Sequence, residues 1–587
     1  MGAPPISEAT IRHNSTANSF SRGEDYYTQG AVTDLVQRDR TIYAEVEGSE
    51  VAPYRVTLQF DSGGITSARC TCPYDYEGWC KHIVAVGLAW IRHPDLVEVR
   101  PTLEQLIGRL DANQTKQLIR VLVGEHPELM DDVDRQVLLM TNPPAPKQTA
   151  KNRRRTTLDV APFKRQVKNI LREGVRSLEE GYEDDPFTED LEEVIEKALA
   201  FARSEDAENA IAFLQAITET CVSEWDDIAD YGGDSFPIAE TLNEAWAEVI
   251  LSEEIATPDV VDLQVLLEDW QDTMNVDFSM SLAALQQGWH HPELKEVLAG
   301  NGSFSSDHFE FPYAQDLVLI RLQILDSQDR QQEYLNLAKA EGLMLQYLTR
   351  LAELGNIDEA MATARESMTT AEEAFALAKT LRESNHLSEA LAIARTGLPL
   401  PGRYRYDLAS WTSELAEGLG DRDVALEASI LAFELRPSFA DYQRVQHFAA
   451  DQWESLKLDL LKVLRQSEMW TSQEARVDIF LHEGLIDDAI ASVRSDTYYR
   501  SEFVHRVMQA AIASHPDWVI EAARKRAEPI MDQGKAERYQ EAVNWLKEAK
   551  AAHLHSNQKA DWTTYFSQLQ SKHIRKRKLM ELFKQLF

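Results

Sequence analysis

The stretch Arg69-Cys-Thr-Cys-Pro-Tyr-Asp-Tyr-Glu-Gly-Trp-Cys-Lys-His-Ile83 decides how the first part of this chain folds. Cys70, Cys72, Cys80 and His82 form a Cys-x-Cys, a seven-residue gap and a Cys-x-His, and they include three of the chain's four cysteines. Sulfur and imidazole donors at this density suit a tetrahedral Zn²⁺ whose four positions are all taken by protein, which makes the ion structural. A Cys-x-Cys pair is badly placed to bridge to itself as a disulfide. On a strand Ile65–Thr71, residues two apart point to one face, so Cys70 and Cys72 reach the same ion. Pro73 ends that strand and Gly78 turns the loop back. Lys81–Arg92, apolar at Ile83, Val84, Val86, Leu88 and Trp90, reads as a buried helix. Cys80 and His82 then lie at or just before its first turn, where the helix dipole favours thiolates. Three thiolates, a neutral imidazole and Zn²⁺ leave a single negative charge, which Arg69 and Lys81 are placed to offset.

Upstream, Ala31–Gln37, Thr41–Glu47 and Tyr54–Phe60 alternate apolar and polar residues and are rich in Val, Thr and Tyr, so they read as strands. Gly48-Ser49 and Asp61-Ser-Gly-Gly64 supply the turns. With Ile65–Thr71 they make a small antiparallel sheet that delivers the first two ligands to the helix. Residues 20–30 read as a short helix ending at Gly30.

The Cys-x-Cys, variable loop and Cys-x-His resemble the SWIM zinc finger. Cys70-Thr-Cys-Pro-Tyr-Asp75 followed by Cys80-Lys-His-Ile-Val-Ala-Val86 looks like its bacterial form. Phe20, Arg22-Gly23, Tyr26-Tyr27 and Gly30-Ala31-Val32 extend the resemblance over about residues 15–92. The resemblance implies Cys70, Cys72, Cys80 and His82 as the ligands of one Zn²⁺. It also implies a DNA- or protein-binding module of the kind found with SWI/SNF-type ATPases, transposases and recombinase-associated factors.

The 587 residues allow several domains, and 44% hydrophobic content is that of an ordinary globular chain. No apolar run is long enough to span a membrane, and Met1–Ser7 has neither the basic start nor the apolar core of a secretory signal, so the expectation is a cytoplasmic protein. The net charge of −37 is unevenly spread: residues 1–176 carry +1, residues 572–587 carry +5, and residues 177–571 carry −43. An acidic body repels nucleic acid, so any DNA contact falls to the N-terminal part or the last helix.

The fold class read from the sequence is mainly α: a small N-terminal α+β zinc-stapled module followed by an α-helical, tetratricopeptide-like solenoid. The module covers 1–95, a helical extension 96–140, a Pro-rich and basic linker 141–160, an acidic helical domain 161–330, and helical repeats 331–587 ending in a basic cap helix. The repeat signal is Leu354-Gly-Asn-Ile-Asp-Glu-Ala360, Ser384-Asn-His-Leu-Ser-Glu-Ala390, Leu419-Gly-Asp-Arg-Asp-Val-Ala425 and Glu483-Gly-Leu-Ile-Asp-Asp-Ala489. A turn follows one helix and a small Ala lets the next pack closely, as in helical-pair repeats. Cys221 reads as a core residue, and the acidic run around Glu179–Asp190 as a solvated face without calcium-loop spacing.

No P-loop, Gly-x-Gly-x-x-Gly, His-Glu-x-x-His or Gly-x-Ser-x-Gly occurs, so the chain is not expected to be an enzyme and no small-molecule substrate is inferred. The sequence points to an adaptor that binds a protein partner through the zinc module and the acidic repeats. The alternative is a DNA-binding accessory factor that uses residues 1–178. Candidate partner or nucleic-acid contacts are Arg69, Tyr74, Tyr76, Trp79 and Lys81 beside the metal, and Arg153, Arg154 and Arg155 in the linker.

Overall fold

The computed structural model describes residues 6–76, 78–126, 129–130, 133, 159–180, 187–204, 206–225, 228, 236–252, 257–301, 314–466, 472–493 and 501–586. They form two compact units, residues 1–115 with 369–587, and residues 116–368. No helix among the described residues is long and apolar enough to cross a membrane.

In the first unit, β1 (Val32–Arg38), β2 (Thr41–Val46), β3 (Tyr54–Asp61) and β4 (Gly64–Cys70) are an antiparallel meander. β5 (Glu98–Val99) joins in parallel to β1, giving the order β4-β3-β2-β1-β5. The alternation that marks the strands also sorts them: Ile42, Ala44, Val46, Val56, Leu58 and Phe60 are buried on one face. Against that face lies α3 (Lys81–Arg92), with Ile83, Val86 and Trp90 in the same core. Its other side, Val84 and Leu88, packs on Ile11 of α1 (Glu8–His13) and Phe20 of α2 (Ala17–Thr28). Covered on both sides, α3 is apolar around its whole circumference, as a fully buried helix must be. Gly23 is where α2 comes closest: a Cβ there would sit 2.5 Å from Val84 Cγ1 and 2.8 Å from the Lys81 carbonyl oxygen. Neither α1 nor β5 was expected from the sequence.

After β5, α4 (Leu103–Ile107) and α5 (Ala112–Glu125) are helices, as their period requires. A reciprocal Thr102–Gln105 capping box starts α4. Neither helix buries a residue.

The helical part of the first unit contains α6 (Ala371–Glu383), α7 (Leu387–Gly397), α8 (Arg405–Leu419), α9 (Arg422–Leu435) and α10 (Phe439–Ala449). The zinc-ligand module is seated on α6, α8 and α10. Arg382 of α6 forks onto both oxygens of Asp61 at 2.8 and 2.9 Å. The fully buried Arg444 of α10 donates to Thr10 Oγ1, Ser413 Oγ and Glu417 Oε2. His13 places Nε2 2.7 Å from Ser410 Oγ and Nδ1 3.3 Å from Asp441 Oδ1. Asn14 donates to Glu414. α1 and its C-cap are thus bound to residues about four hundred positions away, and the β3–β4 turn to one 321 positions away.

The repeat pattern has a common geometry. Gly355, Asn385, Gly420 and Gly484 all adopt positive φ between helices, the left-handed turn that Gly and Asn accept most readily. Ala360, Ala390, Ala425 and Ala489 are all fully buried in the helix that follows. From Phe433 to Leu586 these helices share one core. At its end Leu579, Phe583 and Leu586 are buried, while Lys572 pairs with Asp532 and Lys576 Nζ donates to the Met531 carbonyl. The basic run therefore sits at the C-terminal end of the Pro516–Gln533 helix, where the dipole favours cations.

The second unit is helical. Its helices Ala161–Glu180, Thr188–Arg203, Ala207–Ser223, Phe236–Ser252 and Ser279–Gln287 enclose a core with Phe187, Phe213, Trp246 and Trp270. Cys221 is fully buried there, as its solitary position suggested, and burial pushes its thiol up to about 12. The repeat Leu354–Ala360 belongs to this unit, while the other three belong to the first.

Candidate metal centre

Each ligand is placed by a different local rule. β4 ends on Cys70, whose side chain shares the inner face with Ala68. The Thr71 amide still donates to the Arg55 carbonyl at 3.0 Å, so the ladder holds the chain one residue further and brings Cys72 round. Cys80 is the N-cap of α3 and His82 lies in its first turn. The ligand atoms of Cys70, Cys72, Cys80 and His82 all lie within 4.8 Å of one another. Cys70 Sγ is 3.6 Å from His82 Nδ1. Zn–S and Zn–N bonds of about 2.3 and 2.0 Å at a tetrahedral angle predict a sulfur–nitrogen edge of about 3.5 Å. The four residues are arranged to hold one metal ion, and the donor set is that of a structural Zn²⁺.

His82 is oriented by packing. Its ring stacks on Tyr54 at 4.3 Å and meets Tyr26 edge-on at 5.4 Å. Its other nitrogen, Nε2, is buried without a hydrogen-bond partner among the described residues, where the aromatic clamp stands in place of the usual acceptor behind a ligand histidine. Gly48 makes room for that clamp: a Cβ there would lie 2.5 Å from Tyr54 Cε2. The thiols are unequal. The hydrogen bond from Cys70 holds the Cys80 thiol well below its ordinary value against the cost of burial, helped by His82 and the Ile83 amide. Cys70 is raised by the same Cys80 partner and then by burial, and Cys72 is raised by burial. Binding of a cation draws the remaining protons off the thiols.

Residues 54–90 match the family model described as SWIM zinc finger. This module is a SWIM zinc finger. The matched residues run from the first residue of β3 through the metal loop to Trp90, and so include the Tyr54 clamp. The chain is 30% identical over 119 residues to zinc finger SWIM domain-containing protein 8 of Homo sapiens and of Bos taurus, covering 20% of this chain and 6% and 8% of theirs. It is 33% identical over 116 residues to the Drosophila melanogaster homolog of that protein, again 20% of this chain and 6% of the relative. The chain thus spans less than a tenth of the length of these relatives. No solved structure matches it.

Around the SWIM metal site the other residues singled out from the sequence separate. Lys81 Nζ donates to Tyr26 Oη at 2.8 Å and lies over the same ring, tying α3 to α2. Arg69 is exposed on the outer face of β4. Tyr74 accepts from Ser19 and meets Tyr76 edge-on, and Tyr76 is 75% exposed. Trp79 is half-buried beneath α1 and α2, its amide donating to the Asn14 carbonyl at 2.6 Å. Arg153, Arg154, Arg155 and most of the 141–160 linker lie outside the described residues. Tyr54, Tyr26 and Gly48 were read from the sequence as strand, resemblance and turn residues, and their part in holding His82 was missed. An aromatic in the third strand, level with the ligands, was the available signal.

Proposed function

We propose that this protein is an adaptor that binds other proteins, with the SWIM finger as a rigid head on an acidic helical-repeat body, and that it acts by binding and not by catalysis. The observation that carries this reading is the fate of the module's cations. Arg12, Arg55, Arg92 and Arg100 are each paired with a carboxylate. Arg40 reaches Asn385, and Lys81 is engaged by Tyr26. Arg22 and Arg69 are exposed, but on two different elements, α2 and β4, which by themselves do not supply a contiguous basic face. Phosphate neutralisation needs such a face. The metal fixes the loop Pro73–Trp79, which offers Tyr76 outward as a contact of the kind enriched in protein interfaces.

The Ser410–His13–Asp441 line has the order of a hydrolytic triad, yet it supports seating and not chemistry. Ser410 lies inside α8, where the neighbouring amides are engaged within the helix and none is left to stabilise an oxyanion. His13 Nδ1 and Asp441 Oδ1 are close but not aligned as a hydrogen bond.

The deciding experiment is fluorescence anisotropy of the full chain with labelled duplex and single-stranded DNA across a salt series, with and without a chelator. The adaptor reading expects no zinc-dependent binding at low salt. Zinc-dependent binding that weakens steeply with salt would overturn it in favour of a DNA-bound accessory factor.

A further inference from the structure

β4 is an edge strand, and it borders a cleft of about 720 Å³ within the first unit. One wall is β4 itself from Gly64 to Ala68; the opposite wall is Lys379, Arg382 and Glu383 of α6 with Trp411 and Glu414 of α8. The volume is that of a ligand site.

The hydrogen-bond register says which β4 backbone groups point away from the sheet; of these, Ala68 lines the cleft and Cys70 lies just beyond its lining. Phe60 N donates to the Arg40 carbonyl, so alternate β3 residues 60, 58, 56 and 54 turn toward β2. Thr71 N donates to the Arg55 carbonyl, so 55, 57 and 59 turn toward β4 and engage 71, 69 and 67. Ala68 and Cys70 therefore direct both N–H and C=O away from the sheet. Among the described residues no backbone or side-chain group bonds to them there. A bare strand edge normally is covered, bulged or charged. This one has a bulge at its start and, among the described residues, then runs open.

We infer that this cleft takes an extended peptide from a partner protein, added as a further strand on the Ala68–Cys70 edge of β4 with an apolar side chain resting on Trp411. The inference rests on the adaptor reading and names its site. An extended backbone is the ligand that matches donors and acceptors repeating every second residue. Charge does not choose the occupant. Arg382 is taken by Asp61 and Glu417 by Arg444, which leaves Arg40 and Lys379 against Glu383 and Glu414 among the charged lining residues, a balance of two and two. Trp411 meets Phe375 edge-on, lies under the Arg382 guanidinium and is partly exposed, an apolar plate lining the cleft. The edge is also stiff. Gly63 and Gly64 are packed on α8 at one end, and Cys70 is a zinc ligand at the other. A strand fixed at both ends loses little freedom on pairing.

The test selects displayed random linear peptides against the full zinc-loaded chain, then follows amide hydrogen exchange with synthetic copies of the winners. The expected result is slowed exchange at the Ala68 and Cys70 amides, affinity that changes little with salt, and loss of affinity when alternate peptide amides are N-methylated. Ala68→Pro, which deletes one outward donor, should weaken binding about fivefold to tenfold. Ser67→Arg, which keeps the backbone and fills the cleft, should weaken it comparably, with zinc content unchanged in both. Peptides that bind but protect other segments would overturn this site and leave the adaptor reading standing. Enrichment of no peptide, together with zinc-dependent DNA binding, would overturn both. Protection of Ala68 and Cys70 that grows with protein concentration alone would assign the edge to a second copy of this chain.

Discussion

The Gly63 backbone lies directly against Gly418 of α8: a Cβ on Gly418 would fall 2.1 Å from the Gly63 carbonyl carbon and 2.2 Å from its oxygen. The obstacle is main chain on both sides, so no rotamer relieves it. Gly418→Ala should therefore lift the β3–β4 turn off α8 while leaving the metal ligands alone. The expected loss is about 1–3 kcal/mol of stability, with zinc content unchanged and faster proteolysis of the 61–64 turn. Unchanged melting together with unchanged proteolysis would mean the two surfaces separate freely.

Arg444 is 1% exposed and ties Thr10, Ser413 and Glu417 together. Arg444→Leu leaves Glu417 buried without its cation and should cost about 3–5 kcal/mol in denaturant unfolding. Adding Glu417→Gln should restore part of that loss, because the uncompensated charge is then gone. A double variant no more stable than the single one would place the cost in packing.

Removal of the metal should undo the SWIM finger's fixed shape. Cys72→Ser, or a strong chelator, should abolish the near-UV signal of the Tyr26–His82–Tyr54 stack and expose the Pro73–Trp79 loop to protease. The helices from Phe433 to Leu586 carry their own core and should keep their far-UV ellipticity. A protease-resistant loop in the zinc-free protein would show that the metal is dispensable for its shape.

Glu8 joins α1 to α3 through Arg92 at 2.8 Å and also contacts Arg12. Burial raises its pKa, but the hydrogen bonds and charges of Arg92 and Arg12 outweigh that and leave it below the ordinary value. A depressed carboxylate contributes stability above its unfolded pKa and loses it as pH falls through the folded one. The contribution should therefore vanish on the acid side of the normal carboxylate range. Solvent access keeps it below about 1 kcal/mol. Glu8→Gln should flatten the acid limb of the stability profile by that amount and leave neutral-pH metal content unchanged.

Much of the metal centre was legible because its information is local. One ligand at a strand's end and one just past it, a loop that must turn, and two at a helix start all fall within thirteen residues. The strands were legible through alternation, and α3 through its continuous apolar run. What lay hidden depends on distant partners. Gly63-Gly64 reads as a turn, and nothing in a turn says that a helix some 350 residues later is pressed against it. Glu8–His13 is polar and short, and becomes a structural element through Ser410, Glu417, Asp441 and Arg444. Lys81 was read as a counter-charge because sequence shows its neighbours and not Tyr26 of another helix. The 96–140 extension was read as helical, and α4 and α5 are helices within it, yet Leu103, Leu106 and Ile107 of α4 stay exposed. Periodicity reports an element's type and is silent on what covers it.

β4 is held by α8 at Gly64 and by the metal site at Cys70, about 20 Å away along the strand. Zinc occupancy and the seating of the helices are thereby two ligations of one rod, and thermodynamic linkage makes their influence mutual. Whatever factor the intact helices add to the affinity for zinc, zinc adds to the persistence of that helical contact. A change in cellular zinc or thiol redox state at one tip would register as looseness at the other, with no other messenger required.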